Sequence, residues 1–155
     1  MSFYRKLRRE RLERTMVCYM RRTGPYGQEN FALMRRFQDW LQTHGLYQDN
    51  TVILAIPLDD PRVTRAADCR YDVCAAPAPD KLSALDGVKT RWLEGGQYAV
   101  FLLDHTPEAV QSAWAACFSE LEKQGWLPDP ARPILERYAK GLVERHVCEL
   151  CVPIL

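Results

Sequence analysis

The chain has 155 residues, enough to bury one sizeable apolar core without disulfide staples and too few for two independent domains of ordinary size. Its 21 Lys and Arg against 20 Asp and Glu leave a formal charge of +1, which argues against direct nucleic-acid binding by the surface as a whole. The charge is uneven: ten basic residues precede Phe37 and face only Glu10, Glu13 and Glu29, so a basic edge is expected near the N-terminus.

No window approaches the roughly 18 consecutive apolar residues that span a bilayer, and the first nine residues lack the apolar stretch of a signal peptide. A cytoplasmic location without membrane association is therefore expected. The six cysteines then read as reduced thiols rather than a disulfide framework. Cys148 and Cys151, with His146 nearby, have a metal-ligand spacing. In a strand, however, positions i and i+3 point to opposite faces, so the sulfurs diverge and no metal is expected.

Taken in order, the N-terminal arm reads either as a strand near Arg5–Leu12 or as a helix with Tyr4, Leu7 and Arg11 on one side. Thr15 to Arg22 is rich in β-formers and is stopped by Thr23-Gly24-Pro25-Tyr26-Gly27. A helix follows from Gln28 to His44, with Leu33, Phe37, Trp40 and Leu41 along one stripe and Gly45 as its left-handed stop. Val52 to Ile56, bounded by Pro57, reads as a buried strand. Arg70 to Ala75 is another, with Tyr71 and Val73 alternating against Asp72 and Cys74. From Ala76 to Gly87 the composition shifts toward a linker, so two halves should meet there.

The order then repeats. Lys89–Leu93 and Gln97–Leu103 read as a hairpin around Glu94-Gly95-Gly96. Thr106-Pro107-Glu108 supplies a cap, a first-turn proline and an acidic start to a second helix. That helix carries Val110, Ala113, Trp114, Cys117, Phe118 and Leu121 on one stripe and stops at Gly125, so Phe37 and Phe118 both read as core. Strands near Ile134–Tyr138 and Val147–Pro153 close the chain. A shift of 81 positions pairs Leu33 with Trp114, Phe37 with Phe118, Trp40 with Leu121 and Leu46 with Leu127. The fold expected is α+β. It has duplicated strand-helix-strand-strand units in pseudo-twofold relation, antiparallel sheets and two main helices. One domain spans residues 1–155, with repeats over about 4–76 and 88–154.

The most informative candidate is Glu136, which shares a strand face with Ile134 and Tyr138. If that face lines a groove between the halves, desolvation raises its pKa and makes it a counter-charge for a cationic ligand or a general base. If it faces solvent, it is a surface charge beside Arg137. Four Trp, seven Tyr and five Phe exceed what a small core needs. Tyr26, Tyr71, Trp92, Tyr98 and Tyr138 sit where strands or turns can expose them, and aromatic faces with one acid suit flat lipophilic cations. There is no phosphate-cradling glycine run, no nucleophile elbow and no zinc motif, and no cofactor is expected.

In sequence order, Thr23-Gly24-Pro25-Tyr26, Asp59-Asp60-Pro61 with Cys69-Arg70-Tyr71-Asp72, Gly95-Gly96-Gln97-Tyr98-Ala99-Val100-Phe101, Trp126-Leu127-Pro128, Glu136-x-Tyr138 and Glu149-x-Cys151-x-Pro153 resemble the GyrI-like small-molecule-binding domains. This family includes the bacterial DNA gyrase inhibitory protein and the effector-binding domains of AraC- and MerR-type regulators. The resemblance implies a ligand cleft where two matched sheets meet. In it Glu136 would neutralise a lipophilic cation, lined by Tyr26, Tyr71, Trp114, Tyr138 and Cys151. Cys151 departs from the family's frequent aromatic. The partners implied are a lipophilic small molecule, and DNA gyrase or a transcription regulator. Some members hydrolyse strained cyclopropane rings, which would make Glu136 catalytic, with the hydroxyl of Tyr26 or Tyr71 polarising the leaving group. No helix-turn-helix fits before Thr15, so a stand-alone binding module is expected rather than a complete regulator.

Overall fold

A computed structural model describes residues 2–77, 81 and 86–155; the rest of the expected linker lies outside the described residues. The arm that read as either helix or strand is a strand. The elements run β1 (Lys6–Leu12), β2 (Thr15–Thr23), α1 (Gln28–Thr43), β3 (Val52–Pro57), β4 (Arg70–Ala75), β5 (Lys89–Leu93), β6 (Gly96–Asp104), α2 (Pro107–Gln124), β7 (Leu135–Ala139), a short α3 (Lys140–Val143) and β8 (Val147–Pro153). No helix among the described residues is long and apolar enough to cross a membrane.

All eight strands join one curled antiparallel sheet in the order β1-β6-β8-β7-β3-β4-β2-β5. The expected hairpin between β5 and β6 does not form, because β5 pairs with β2 and β6 with β1. Lys6 lies opposite Leu102 and Leu12 opposite Gly96, and the same register resumes with Thr15 opposite Leu93 and Tyr19 opposite Lys89. Thus β1–β2 and β5–β6 are two long bent strands lying side by side. Their bends cross at Gly95, where any Cβ would collide with the Leu12 carbonyl oxygen and the Arg14 amide. Gly95, which with Gly96 signalled a turn, serves a close backbone approach instead, and Gly96 lies under the Arg132 guanidinium.

The two long helices lie on one face of this sheet, α1 over β2 and β4 and α2 over β6 and β8. α1 seats Leu33, Phe37 and Leu41 with Cys18, Ile53, Ala55, Tyr71 and Val73. α2 seats Ala113, Cys117 and Leu121 with Ala99, Phe101, Leu103, Cys148 and Leu150. The opposite, inward face is filled by Val17, Ile56, Cys74, Leu93, Tyr98, Val100, Leu135 and Cys151. Each fully buried Leu, Ile or Phe contributes about 1.5–3 kcal/mol of transfer free energy. All six cysteines are buried free thiols.

The duplication is visible in the elements, with a one-residue slip between strands and helices. β2 and β6 begin and end 81 positions apart (15 to 96, 23 to 104). The buried helix residues are 80 apart: Leu33, Phe37 and Leu41 correspond to Ala113, Cys117 and Leu121. The left-handed stops Gly45 and Gly125 keep that spacing. One residue is about 100° around a helix, which corrects the expectation that Phe118 is core: Phe37 is fully buried whereas Phe118 is 51% exposed. Phe118 corresponds to Gln38, and Trp114 to Met34.

Candidate functional site

Because α1 and α2 cover the outer strands, the central pair β3 and β7 forms the floor of a groove between them. Alternation along β7 turns Glu136 and Tyr138 to this face. Glu136 lies opposite Ala55 on one side and Leu150 on the other, and Tyr138 lies opposite Ile53. Ala55, opposite Val73 in turn, is fully buried in the α1-side core beside the acid. Tyr138 packs against both helix-side cores and so bridges the two halves.

Both oxygens of Glu136 are held. The Trp114 indole N–H donates to Oε2 at 2.6 Å, and the Tyr138 hydroxyl donates to Oε1 at 2.9 Å. Burial raises the Glu136 pKa, and these two hydrogen bonds oppose that rise by stabilising the ionised form. Among the described residues, Glu136 forms no ion pair, whereas the buried Asp72 is held by Arg21 and Arg91 and the buried Glu149 by Arg8 and Arg137. Its titratable neighbours are Tyr138, Tyr71 and Cys148. Burial and then the charge of Glu136 raise both tyrosines, and the same two causes push Cys148 up to about 12. The His105 ring lies 5.5 Å from that of Tyr138.

The structure brings together Glu136, Trp114, Tyr138 and Tyr71 on the groove face. Tyr26 stands at its end, with ring centroids 6.1 Å from Tyr71. Its hydroxyl donates to the Arg70 carbonyl at 2.7 Å and accepts from the Asp59 amide at 3.1 Å, so it pins the loop before α1 to the β3–β4 connection. Cys151 is not in this group. It is fully buried in the inward core, on the opposite face of β8 from Cys148 and Leu150, and is corrected from lining residue to packing residue. Tyr98 also belongs to that inward core, and Trp92 stacks under Arg14 at 4.0 Å. Met34 and Ala55, which the sequence did not single out, pack in the α1-side core next to Tyr71 and Tyr138. Their signal was the parity of β3 and the flank position of Met34 equivalent to Trp114. A separate cavity of about 390 Å³ lies beyond the end of α1, lined by Leu41, Leu46, Thr51, Val52 and Ala75, and does not include Glu136. No cluster of potential metal ligands occurs among the described residues.

Residues 6–155 match the family model of the GyrI-like small molecule binding domain. A protein of the Bacillus subtilis (strain 168) SPbeta prophage, YosT, whose name proposes a transcriptional regulator, is 43% identical over 150 residues, covering 96% of this chain and 99% of YosT. Among solved structures, SAV2435 bound to tetraphenylphosphonium superposes with a TM-score of 0.63 at 15% identity, covering 97% of this chain and 94% of that one. The EcmrR C-terminal domain superposes with a TM-score of 0.72 at 11% identity, covering 97% of each chain. At these identities the two structures establish the shared fold.

Proposed function

This chain belongs to the family of GyrI-like small-molecule-binding domains, and from that premise we propose that it takes up a lipophilic aromatic cation between α1 and α2, with Glu136 as counter-charge. The observation that carries this reading is the condition of Glu136. Its ionised form is opposed by burial, supported by two donors, and matched by no protein cation among the described residues. A bound cation would complete the pair. The faces of Trp114, Tyr138 and Tyr71 would add cation–π contacts of about 0.5–2 kcal/mol each. The relationship to YosT favours a role in transcriptional regulation, with the bound state read by a partner, over gyrase inhibition or hydrolysis.

Titration calorimetry with tetraphenylphosphonium at neutral pH tests the pairing. Wild type should bind, and Glu136→Gln should bind about 10–100-fold more weakly, the range for losing a charged partner. Equal affinities would remove the counter-charge role. A gyrase supercoiling assay with the protein in excess should show no inhibition.

A further inference from the structure

Tyr71 stands on the groove face of β4 and is only 6% exposed. A phenol that deep normally finds a partner. The hydroxyls of Tyr4, Tyr26, Tyr98 and Tyr138 all do, on Glu120, the Arg70 carbonyl, the Glu94 carbonyl and Glu136 respectively. Among the described residues nothing hydrogen-bonds the hydroxyl of Tyr71. Nor is that oxygen sealed away, since among the described residues the buried polar atoms left without partners are Arg91 Nε and Arg132 Nη1. The hydroxyl therefore keeps a small exposure without a protein partner, on the same sheet face as Glu136 but on the β4 side and near enough to feel its charge.

We propose that the Tyr71 hydroxyl is a second, independent anchor in the groove, donating a hydrogen bond to a neutral acceptor on the ligand such as a carbonyl, ether or phosphoryl oxygen. This rests on the groove being the ligand site and narrows the ligand class to molecules with a positive centre for Glu136 and an acceptor a few ångströms away. Donation is the role that fits, because burial and the nearby carboxylate keep the phenol protonated. Arg22 lies opposite Tyr71 in the β2–β4 ladder, with its guanidinium bonded to the Pro25 carbonyl and the Asn30 side chain. It leaves the hydroxyl free and disfavours a second positive centre at this end.

Two probes separate the anchors. Tetraphenylphosphonium is positive and has no acceptor, whereas triphenylphosphine oxide is neutral and carries one strong acceptor. Tyr71→Phe removes one oxygen and keeps the ring, so packing is retained. It should weaken binding of the oxide roughly five- to tenfold, the cost of one neutral hydrogen bond, while leaving the phosphonium within about twofold. Glu136→Gln should do the reverse. The Tyr71 proposal is overturned if Tyr71→Phe affects both probes alike or neither, or if wild type does not bind the oxide. If the oxide behaves as expected but Glu136→Gln leaves phosphonium binding intact, the counter-charge reading fails and Tyr71 stands.

Discussion

Glu136 and Arg137 are neighbours on β7 and point to opposite faces of the sheet, where the chain handles buried charge in opposite ways. On the inward face Arg137 donates to Glu149 at 2.9 Å and to Glu10 at 2.9 and 3.0 Å, and Arg8 closes the ring by donating to the same two acids at 2.8 Å. Two positive and two negative charges cancel, tying β1, β7 and β8 together. The other half repeats the device with Asp72 between Arg21 and Arg91. On the groove face Glu136 has hydrogen-bond donors but no cation. Where the acid is structural the sequence supplies its partner; where it is unpaired, an incoming ligand can.

The largest effect should come from breaking the completed side. Arg137→Ala leaves Glu149, 5% exposed, with Arg8 alone, and should cost about 3 kcal/mol in urea unfolding, the lower end for removing one partner of a buried ion pair. The folded fraction should still bind tetraphenylphosphonium. Glu136→Gln should show the converse, weak ligand binding with stability equal to or above wild type at neutral pH, because it removes a half-buried, desolvated ionisable group that has no counter-ion among the described residues.

The two faces should also respond oppositely to pH. Glu136 has a raised folded pKa, so the folded state holds its proton longer and stability falls as pH rises from the ordinary carboxylate value of 4.5 through the raised one. Hydrogen bonding to Arg137, then the arginine charges, lower the Glu10 pKa. The stability it adds is therefore present above its ordinary 4.5 and is lost as pH falls through the lowered value. Urea midpoints across pH should show the first slope vanish in Glu136→Gln and the second in Glu10→Gln. A smaller change is expected of Trp114→Phe. It keeps most of the ring but removes the donor to Oε2, and should raise the Glu136 pKa further and weaken phosphonium binding by roughly threefold at neutral pH.

Much of this was legible in the sequence. The bounds of β4 and β5 and the shared face of Glu136 and Tyr138 follow from period-two alternation and turn chemistry. Three features were not. β8 is buried on both faces, so Val147–Pro153 shows no alternation to tell which parity meets the helices, and Cys151 could not be told from Cys148. Gly95-Gly96 has the composition of a turn, and only the long-range register reveals a crossing. Phe118 falls on the apolar stripe by helical periodicity and pairs with Phe37 at the 81-residue spacing of the strands, whereas the helices slip to 80. That slip becomes visible only when buried positions are known. Trp114 did carry a signal, since a tryptophan flanking a helical stripe needs an acceptor for its N–H, and Glu136 provides it.

The contrast across β7 is tested most directly by titrating the Glu136 side-chain carboxyl carbon by NMR, with and without saturating tetraphenylphosphonium. Free protein should show a pKa above the ordinary carboxylate value, and the bound cation should bring it down, with proton release on binding near the free-protein midpoint. An unchanged titration in a protein saturated with the probe would contradict the pairing of Glu136 with its ligand.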